Sequence, residues 1–443
     1  MVKLPLIPLT KRHFYCYNTN TKIKEYMDKY LIQGGQKLSG EIRVSGAKNE
    51  ALKILAACVL SSDPCVIKNI PDIEDIKRML EILENLGATM KREGSEVTID
   101  TSGIKEGNPS QELVRRLRSS VMFAGPLLAR FGKVTMAHPG GCIIGKRPID
   151  MFLAGFKALG AEIEESEGQY TLRATELKGA KIVMPWIAVT ATESLMMTAC
   201  LAKGTTTIVN AAMEPEIPAL ADYLNSCGAK ISGAGTPIIT VEGVGKLSGG
   251  ACTLIPDRIE TGTFVMLGLI TNSEIKISGC NPSHLETVLA ILEKAGAQIE
   301  HGSDYLITKA SHLKATELRT HEYPGFPTDL QAPFTVLMTQ AEGLSLIHET
   351  IYEGRLFYTD KLSTMGANII MCDPHRVIVN GPTPLLGKKL ESPDLRAGMA
   401  LVLAGLVAKG QTVIENIYQI ERGYENIIPR LQALGAKIEK VVE

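Results

Sequence analysis

A pattern x-G-A-x-(I/M) recurs six times in this chain, at Gly87, Gly160, Gly228, Gly296, Gly366 and Gly435. The separations are 73, 68, 68, 70 and 69 residues. A fixed period of this kind means one supersecondary unit repeated, each unit too small to bury its apolar face alone. In residues 72–86, Ile73, Ile76, Met79, Leu80, Leu83 and Leu86 fall at helical spacing. The glycine that follows supplies the left-handed residue that ends such a helix, and a short strand comes next, as at residues 437–441. Each unit also has an earlier, more apolar helix followed by a strand, as in residues 196–202 then 205–209, and 400–408 then 411–414. One unit therefore reads as helix, strand, helix, strand, with a further strand between units.

Six such α/β units predict two similar domains of three units each. The unit boundaries put one domain at residues 48–255 and the other at 256–443, with residues 27–47 crossing back to the second as a leading strand over 29–44. Residues 1–26 differ in style from the rest. They are basic and aromatic, then polar, and too interrupted for a signal peptide. They read as a disordered extension, or as sequence upstream of a true start at Met27.

Composition narrows the function classes. The 443 residues are 45% hydrophobic with a formal net charge of −1. No basic excess points to nucleic acid, and no apolar run approaches the roughly 20 residues of a membrane span. The nine cysteines are scattered without C-x-x-C or zinc spacing. They read as reduced thiols of a cytoplasmic protein, with no metal and no cofactor called for.

Polar residues gather at two places in each unit. One is the start of the first helix, with Lys48 and Asn49, Arg118, Thr192 and Glu193, Arg258 and Glu260, Asp329, and Arg396. The other is the start of the second helix, with Cys142 and Arg147, Glu214, Arg355 and Arg422. Helix N-termini carry unpaired N–H groups that bind anions, and arginine there strengthens a carboxylate or phosphate site. Ordinary capping accounts for Thr192 and Asp394. It does not account for repeated arginines, because cations are unfavourable at helix N-termini. The arginines come from both halves, so the site is expected between two domains. Residues 139–148 read P-G-G-C-I-I-G-K-R-P. This glycine-rich loop carries one thiol, Cys142, close to Lys146 and Arg147, and nearby cations favour a thiolate.

With these motifs in place the chain resembles the enolpyruvyl transferases, from Met27 to the C-terminus. The resemblance rests on S-G-A-K-N-E at 45–50, R-S-S at 118–120, the 139–148 loop and E-P-E-I at 214–217. The second half adds P-D-R-I-E-T-G-T at 256–263, F-P-T-D-L-Q at 326–331, D-L-R at 394–396 and E-R-G-Y-E at 421–425. It implies two domains, each an inside-out α/β barrel of three repeats, closing on substrate. The K-N pair and the P-G-G-C loop resemble the branch that transfers the enolpyruvyl group of phosphoenolpyruvate to the 3-hydroxyl of UDP-N-acetylglucosamine, an early step of peptidoglycan synthesis. The alternatives are the sister activity, an enolpyruvylshikimate-phosphate synthase, and a non-catalytic paralogue that binds a UDP-sugar.

By matching position, the resemblance implies that Lys48, Asn49, Arg147, Arg396 and Arg422 hold phosphoenolpyruvate. Asn49, Arg118, Asp329, Val189 and Ile351 would meet the sugar nucleotide. Cys142 would be the loop acid, Asp329 the base and Lys48 a further catalytic group, with Arg355 at the closing interface. The chain also departs from the family. Ala188 and Thr190 stand where a serine and a glycine usually line the diphosphate, Phe152 replaces a common histidine, and Gly354 a common asparagine. The expectation is an intact catalytic set with weakened nucleotide binding.

Overall fold

The computed structural model describes residues 28–138, 144–145 and 148–442. The extension at 1–26, and Cys142, Lys146 and Arg147 of the loop, lie outside the described residues. The fold is α/β, with six small sheets among the described residues, five of four strands and one of three. The third unit shows how one is built. The Val189–Ala199 helix leads to the Thr205–Val209 strand, and the Glu216–Ser226 helix leads to Lys230–Ser232 and Ile238–Glu242. These strands pair antiparallel, while Lys181–Val183 joins Thr205–Val209 in parallel. The parallel pair needs a crossover, and the first helix supplies it.

All six repeat glycines have positive φ, between 93° and 107°. A side chain at that φ is strained, so the pattern marks the six places where a helix must turn back into a sheet. In the Glu74–Leu86 helix the buried stripe is Ile76, Met79, Ile82, Leu83 and Leu86. Ile82 rather than Leu80 lies inside.

The leading segment is not one strand. Lys29–Gln33 and Ser39–Arg43 are separate strands in different sheets. Gly34 and Gly35 break them apart. A Cβ on Gly34 would stand 2.2 Å from the Ala408 carbonyl oxygen, and Gly35 has φ +81°. The first strand lies between Gln411–Glu415 and Lys437–Val441, and the second runs parallel to Glu274–Ser278. In exchange, Ala251–Thr253 pairs with Cys65–Lys68. The chain thus passes twice between two hydrophobic cores. One draws on residues 51–254, the other on 30–44 with 259–438. The two crossings bind each other: Ala47 N–H donates to the Ile255 carbonyl at 2.7 Å and Asp257 N–H to that of Ser45 at 3.0 Å.

The first helices of the units are largely buried. Arg258–Ile270 is buried at every position, as expected of a helix with no solvent face. Strands such as Thr205–Val209 alternate buried and accessible residues, so the sheets offer one face to solvent.

Burial of charge is unusually dense where the cores meet. The Glu193 carboxylate lies 3.3 Å from Lys53 Nζ, but neither oxygen is aligned for a hydrogen bond among the described residues. Burial, opposed by Lys53, pushes the Glu193 carboxyl up to about 8. Burial does the same at Glu50, against the N–H of Ile255, also to about 8. An acid whose folded value is raised stabilises the fold below its unfolded value, and that contribution is lost as pH rises through the folded value. The protein should therefore melt lower at pH 9 than at pH 6. Glu193→Gln should remove on the order of 5 °C of that difference by scanning calorimetry. Equal pH dependence in parent and variant would mean that Glu193 is ionised in the fold.

Candidate functional site

The two crossings place helix N-termini from both halves against each other. Asp257 caps the Arg258–Ile270 helix, its Oδ1 accepting from the N–H groups of Ile259 at 2.8 Å and Glu260 at 2.9 Å. Its Oδ2 accepts from Lys48 N–H at 3.0 Å. The Lys48–Ala57 helix needs this help because Ala47, at its N-cap, has no side-chain acceptor. One carboxylate therefore caps a helix in each half and brings Lys48 to the seam.

Lys48 Nζ reaches Asp75 Oδ2 at 2.6 Å, and both side chains are buried. Arg422 Nε donates to Asp75 Oδ1 at 2.8 Å across 347 residues of sequence. Burial is the largest influence on Lys48, pushing its ammonium below the usual range. Asp75 opposes this, and Arg396 and Arg422 add to it. Burial works against the Asp75 carboxylate, but Lys48 and Arg422 outweigh it and hold the carboxyl below its ordinary value. Asp75 is thus a fixed anion clamping two cations.

A second cluster stands beside the first. Arg355 Nη2 meets Asp329 Oδ1 at 3.0 Å, its Nη1 lies 3.6 Å from Asp394 Oδ1, and its Nε donates to Thr328 Oγ1 at 3.2 Å. Arg396 Nε lies 3.6 Å from the same Asp329 oxygen, and its Nη1 donates to the Tyr424 hydroxyl at 3.4 Å. Asp394 caps the Leu395–Val407 helix through the N–H groups of Arg396 and Ala397. That cap offsets the cost of an arginine in the first turn. Thr328 donates to Glu349 Oε2 at 2.9 Å, and Glu349 Oε1 accepts the N–H of Ile351 at 2.9 Å. Ile351 is thereby tied to the Asp329 turn. Arg396 is close enough to shift Lys48, so the two clusters form one charged surface with cations from both halves.

The remaining expected residues distribute as follows. Asn49 follows Lys48 on its helix and is half-buried. Arg118 opens the Arg118–Phe123 turn, which packs on the Lys48–Ala57 and Glu74–Leu86 helices. Val189 opens the Val189–Ala199 helix. Cys142 and Arg147 fall outside the described residues. Ile144, between those two in the sequence, accepts the N–H of Gly354 from the other half at 2.9 Å through its carbonyl, next to Arg355.

Two expectations need correction. Thr192 is no cap: it sits inside its helix, its hydroxyl donating to the Ala188 carbonyl and accepting Ala212 N–H, both at 3.0 Å. Arg422 does not stand at a helix N-terminus. It is the C-cap of the short Tyr418–Glu421 helix, where a cation is favourable. Phe152, as an apolar residue, is packed in the core at 5% exposure. Asp75 was not foreseen at all. An acidic residue in a first helical turn is commonplace, and nothing local distinguishes one that faces two distant cations. Among the described residues, no group of three or more His, Cys, Asp or Glu side chains is placed to hold a metal ion. No helix among them is long and apolar enough to cross a membrane.

The chain is similar to known proteins along most of its length. The EPSP synthase (3-phosphoshikimate 1-carboxyvinyltransferase) family matches residues 32–431. A UDP-N-acetylglucosamine 1-carboxyvinyltransferase 1 of Carboxydothermus hydrogenoformans is 46% identical over 416 residues, covering 94% of this chain and 99% of the relative. A UDP-N-acetylglucosamine 1-carboxyvinyltransferase of Yersinia pestis is 46% identical over 418 residues, with the same coverage of 94% and 99%. The crystal structure of the enolpyruvyl transferase NikO from Streptomyces tendae superposes with a TM-score of 0.86 at 26% identity, covering 94% of this chain and 99% of that one. An EPSP synthase from Acinetobacter baumannii shares the fold, with a TM-score of 0.71 at 20% identity over 94% of this chain and 100% of that one. Matched along almost its whole length in sequence and in fold, and carrying clustered cations where its two halves meet, the chain belongs to the enolpyruvyl transferases.

Proposed function

We propose that this protein transfers the enolpyruvyl group of phosphoenolpyruvate to the 3-hydroxyl of UDP-N-acetylglucosamine, releasing phosphate. It is a transferase of peptidoglycan synthesis, and we place it in the cytoplasm, where both substrates arise. The observation that carries the reading is the joined pair of ion clusters, in which Lys48, Arg396 and Arg422 converge at the seam. A substrate bearing both phosphate and carboxylate needs several preorganised cations. Lys48, Arg396 and Arg422, with Asn49 and Arg147, hold phosphoenolpyruvate in this reading. Asn49, Arg118, Val189, Asp329 and Ile351 meet the sugar nucleotide. The three units of each half form one inside-out barrel, residues 48–255 and residues 27–47 with 256–443, and Arg355 stands where the barrels close.

The chemistry proceeds by addition and elimination. Asp329 takes the proton from the sugar hydroxyl as its oxygen bonds to C2 of phosphoenolpyruvate, and an acid, Cys142 or Lys48, protonates C3. The resulting tetrahedral ketal loses a C3 proton and phosphate, leaving the enol ether. Phosphate release on mixing the protein with both substrates tests the reading. Release with shikimate 3-phosphate in place of the sugar nucleotide would favour the sister activity, and no release with either would favour a binding protein.

The loop thiol gives a separate expected result. A small phosphonate epoxide such as fosfomycin presents a substrate-like anion to Cys142, and mass spectrometry should find its adduct there. Cys142→Ser should abolish alkylation and lower turnover by about 10²-fold or more, the lower end of what a lost general acid costs. Cys142→Asp should escape alkylation but keep turnover, its activity falling off at lower pH than in the parent because a carboxyl titrates below a thiol. An adduct on another cysteine would remove Cys142 from the mechanism.

A further inference from the structure

Trp186 is the single tryptophan of the chain, and its side chain is 55% exposed. Its surroundings are not loose. Met184 just before it is buried, its N–H donating to the Val209 carbonyl at 3.0 Å and its carbonyl accepting Asn210 Nδ2 at 3.1 Å. Pro185 fixes the next φ. Ile187, Ala188 and Val189, just after it, pack on the core. The indole is therefore held outward on a pinned backbone between two anchored flanks.

Its place in the fold is specific. It lies between the Lys181–Val183 strand and the Val189–Ala199 helix. Both pack on Asp150–Ala158, the helix that follows residues 139–148 in the sequence. The N-cap of Val189–Ala199 is Ala188, whose side chain offers no acceptor to the first N–H groups of that helix. Trp186 precedes Val189 by three residues, at most about 10 Å of chain, which is the reach of a ribose from a diphosphate. Ala188 and Thr190 lack the hydroxyl and the bare backbone that would hold that diphosphate closely.

We propose that Trp186 stacks on the uracil base of the sugar nucleotide and supplies the affinity that the 188–190 segment has given up. The proposal rests on the sugar-nucleotide reading above. Its chemistry is that of an exposed aromatic platform, which binds any flat base face and gains by covering the indole. Specificity for a flat base would thus reside in a residue with no role in the reacting atoms.

The single tryptophan makes the test direct. UDP should quench the fluorescence of the parent. UDP carrying non-planar 5,6-dihydrouracil should bind about tenfold more weakly, the order expected for one lost base–aromatic stack. By calorimetry Trp186→Ala should bind UDP about tenfold more weakly than the parent and no longer distinguish the two bases. Trp186→Phe should restore most of the difference. The KM for UDP-N-acetylglucosamine should rise in the alanine variant while that for phosphoenolpyruvate stays. Equal UDP affinity in parent and alanine variant, or an unchanged dihydrouracil penalty, would overturn the stacking. UDP binding needs no turnover, so the two readings fail separately. Quenching without phosphate release would overturn the reaction and leave the stack. Phosphate release with unaltered UDP affinity in the alanine variant would do the reverse.

Discussion

Asp75→Asn is expected to lower kcat/KM for phosphoenolpyruvate by about 10²-fold, within the range for truncating one partner of a buried, hydrogen-bonded charge pair. Asp75 clamps Lys48 at 2.6 Å and Arg422 at 2.8 Å. Removing its charge leaves two cations facing each other in a buried place. Burial, Arg396 and Arg422 already depress the Lys48 ammonium, and Asp75 is the main group that resists them. Without it, the Lys48 ammonium should be depressed further, and the charge that meets the substrate phosphate is lost more readily. The sign is testable. A depressed amine is recharged by acid, so the variant should recover activity relative to the parent as pH falls. Asp75→Ala should in addition unfold more readily, by about 3–5 kcal/mol, as expected when one partner of a buried pair is deleted. A pH–rate profile for Asp75→Asn parallel to that of the parent would remove Asp75 from control of Lys48.

Asp329→Asn should cut turnover by roughly 10²–10⁴-fold while the sugar nucleotide still binds, because the lost function is proton removal. The Asp329 side chain is 29% exposed and its Oδ1 faces both Arg355 and Arg396. Asparagine keeps the shape and one acceptor for Arg355. Asp394 and Thr328 retain their own contacts with that arginine, and Tyr424 retains Arg396. The stability cost should therefore stay on the order of 1–3 kcal/mol, that of one weakened buried hydrogen bond to a charge. Binding by calorimetry and turnover by phosphate release separate the two effects. Near-parent turnover would exclude Asp329 as the base. Loss of binding in step with turnover would make it a positioning group.

Much of the site was legible because its parts sit at repeated positions. Lys48 and Arg396 both lie in the first turn of a buried helix, which is a local and periodic signal. The positive φ of the six glycines follows from a helix-ending pattern that any one repeat displays. Other features could not be read this way. Three asparagines with positive φ, Asn69, Asn210 and Asn416, donate to the carbonyls of Leu254, Met184 and Ser392. They lock equivalent turns to neighbouring units, but each looks like an ordinary loop residue. Thr192 has the composition of a cap and the position of a helix interior. Gly46 carries no unusual φ, yet a Cβ there would stand 1.9 Å from the Asn69 carbonyl oxygen. Only the close approach of a distant strand end explains it.

By itself the sequence determined the period, the kinds of element in each unit, the glycines that end the second helices, and the family. These depend on residues within a few positions of one another, where spacing and backbone preference act directly. Which charges meet was decided only by the tertiary structure. Asp75 pairs with Arg422 across 347 residues and Asp257 caps Lys48 across 209. The leading segment splits between two sheets of the other half because Gly34 must pass under the Ala408 carbonyl. Such contacts leave no trace in local pattern. A carboxylate looks the same in the sequence whether it faces water or a buried lysine, and its free energy differs only once desolvation and a distant partner are both in place.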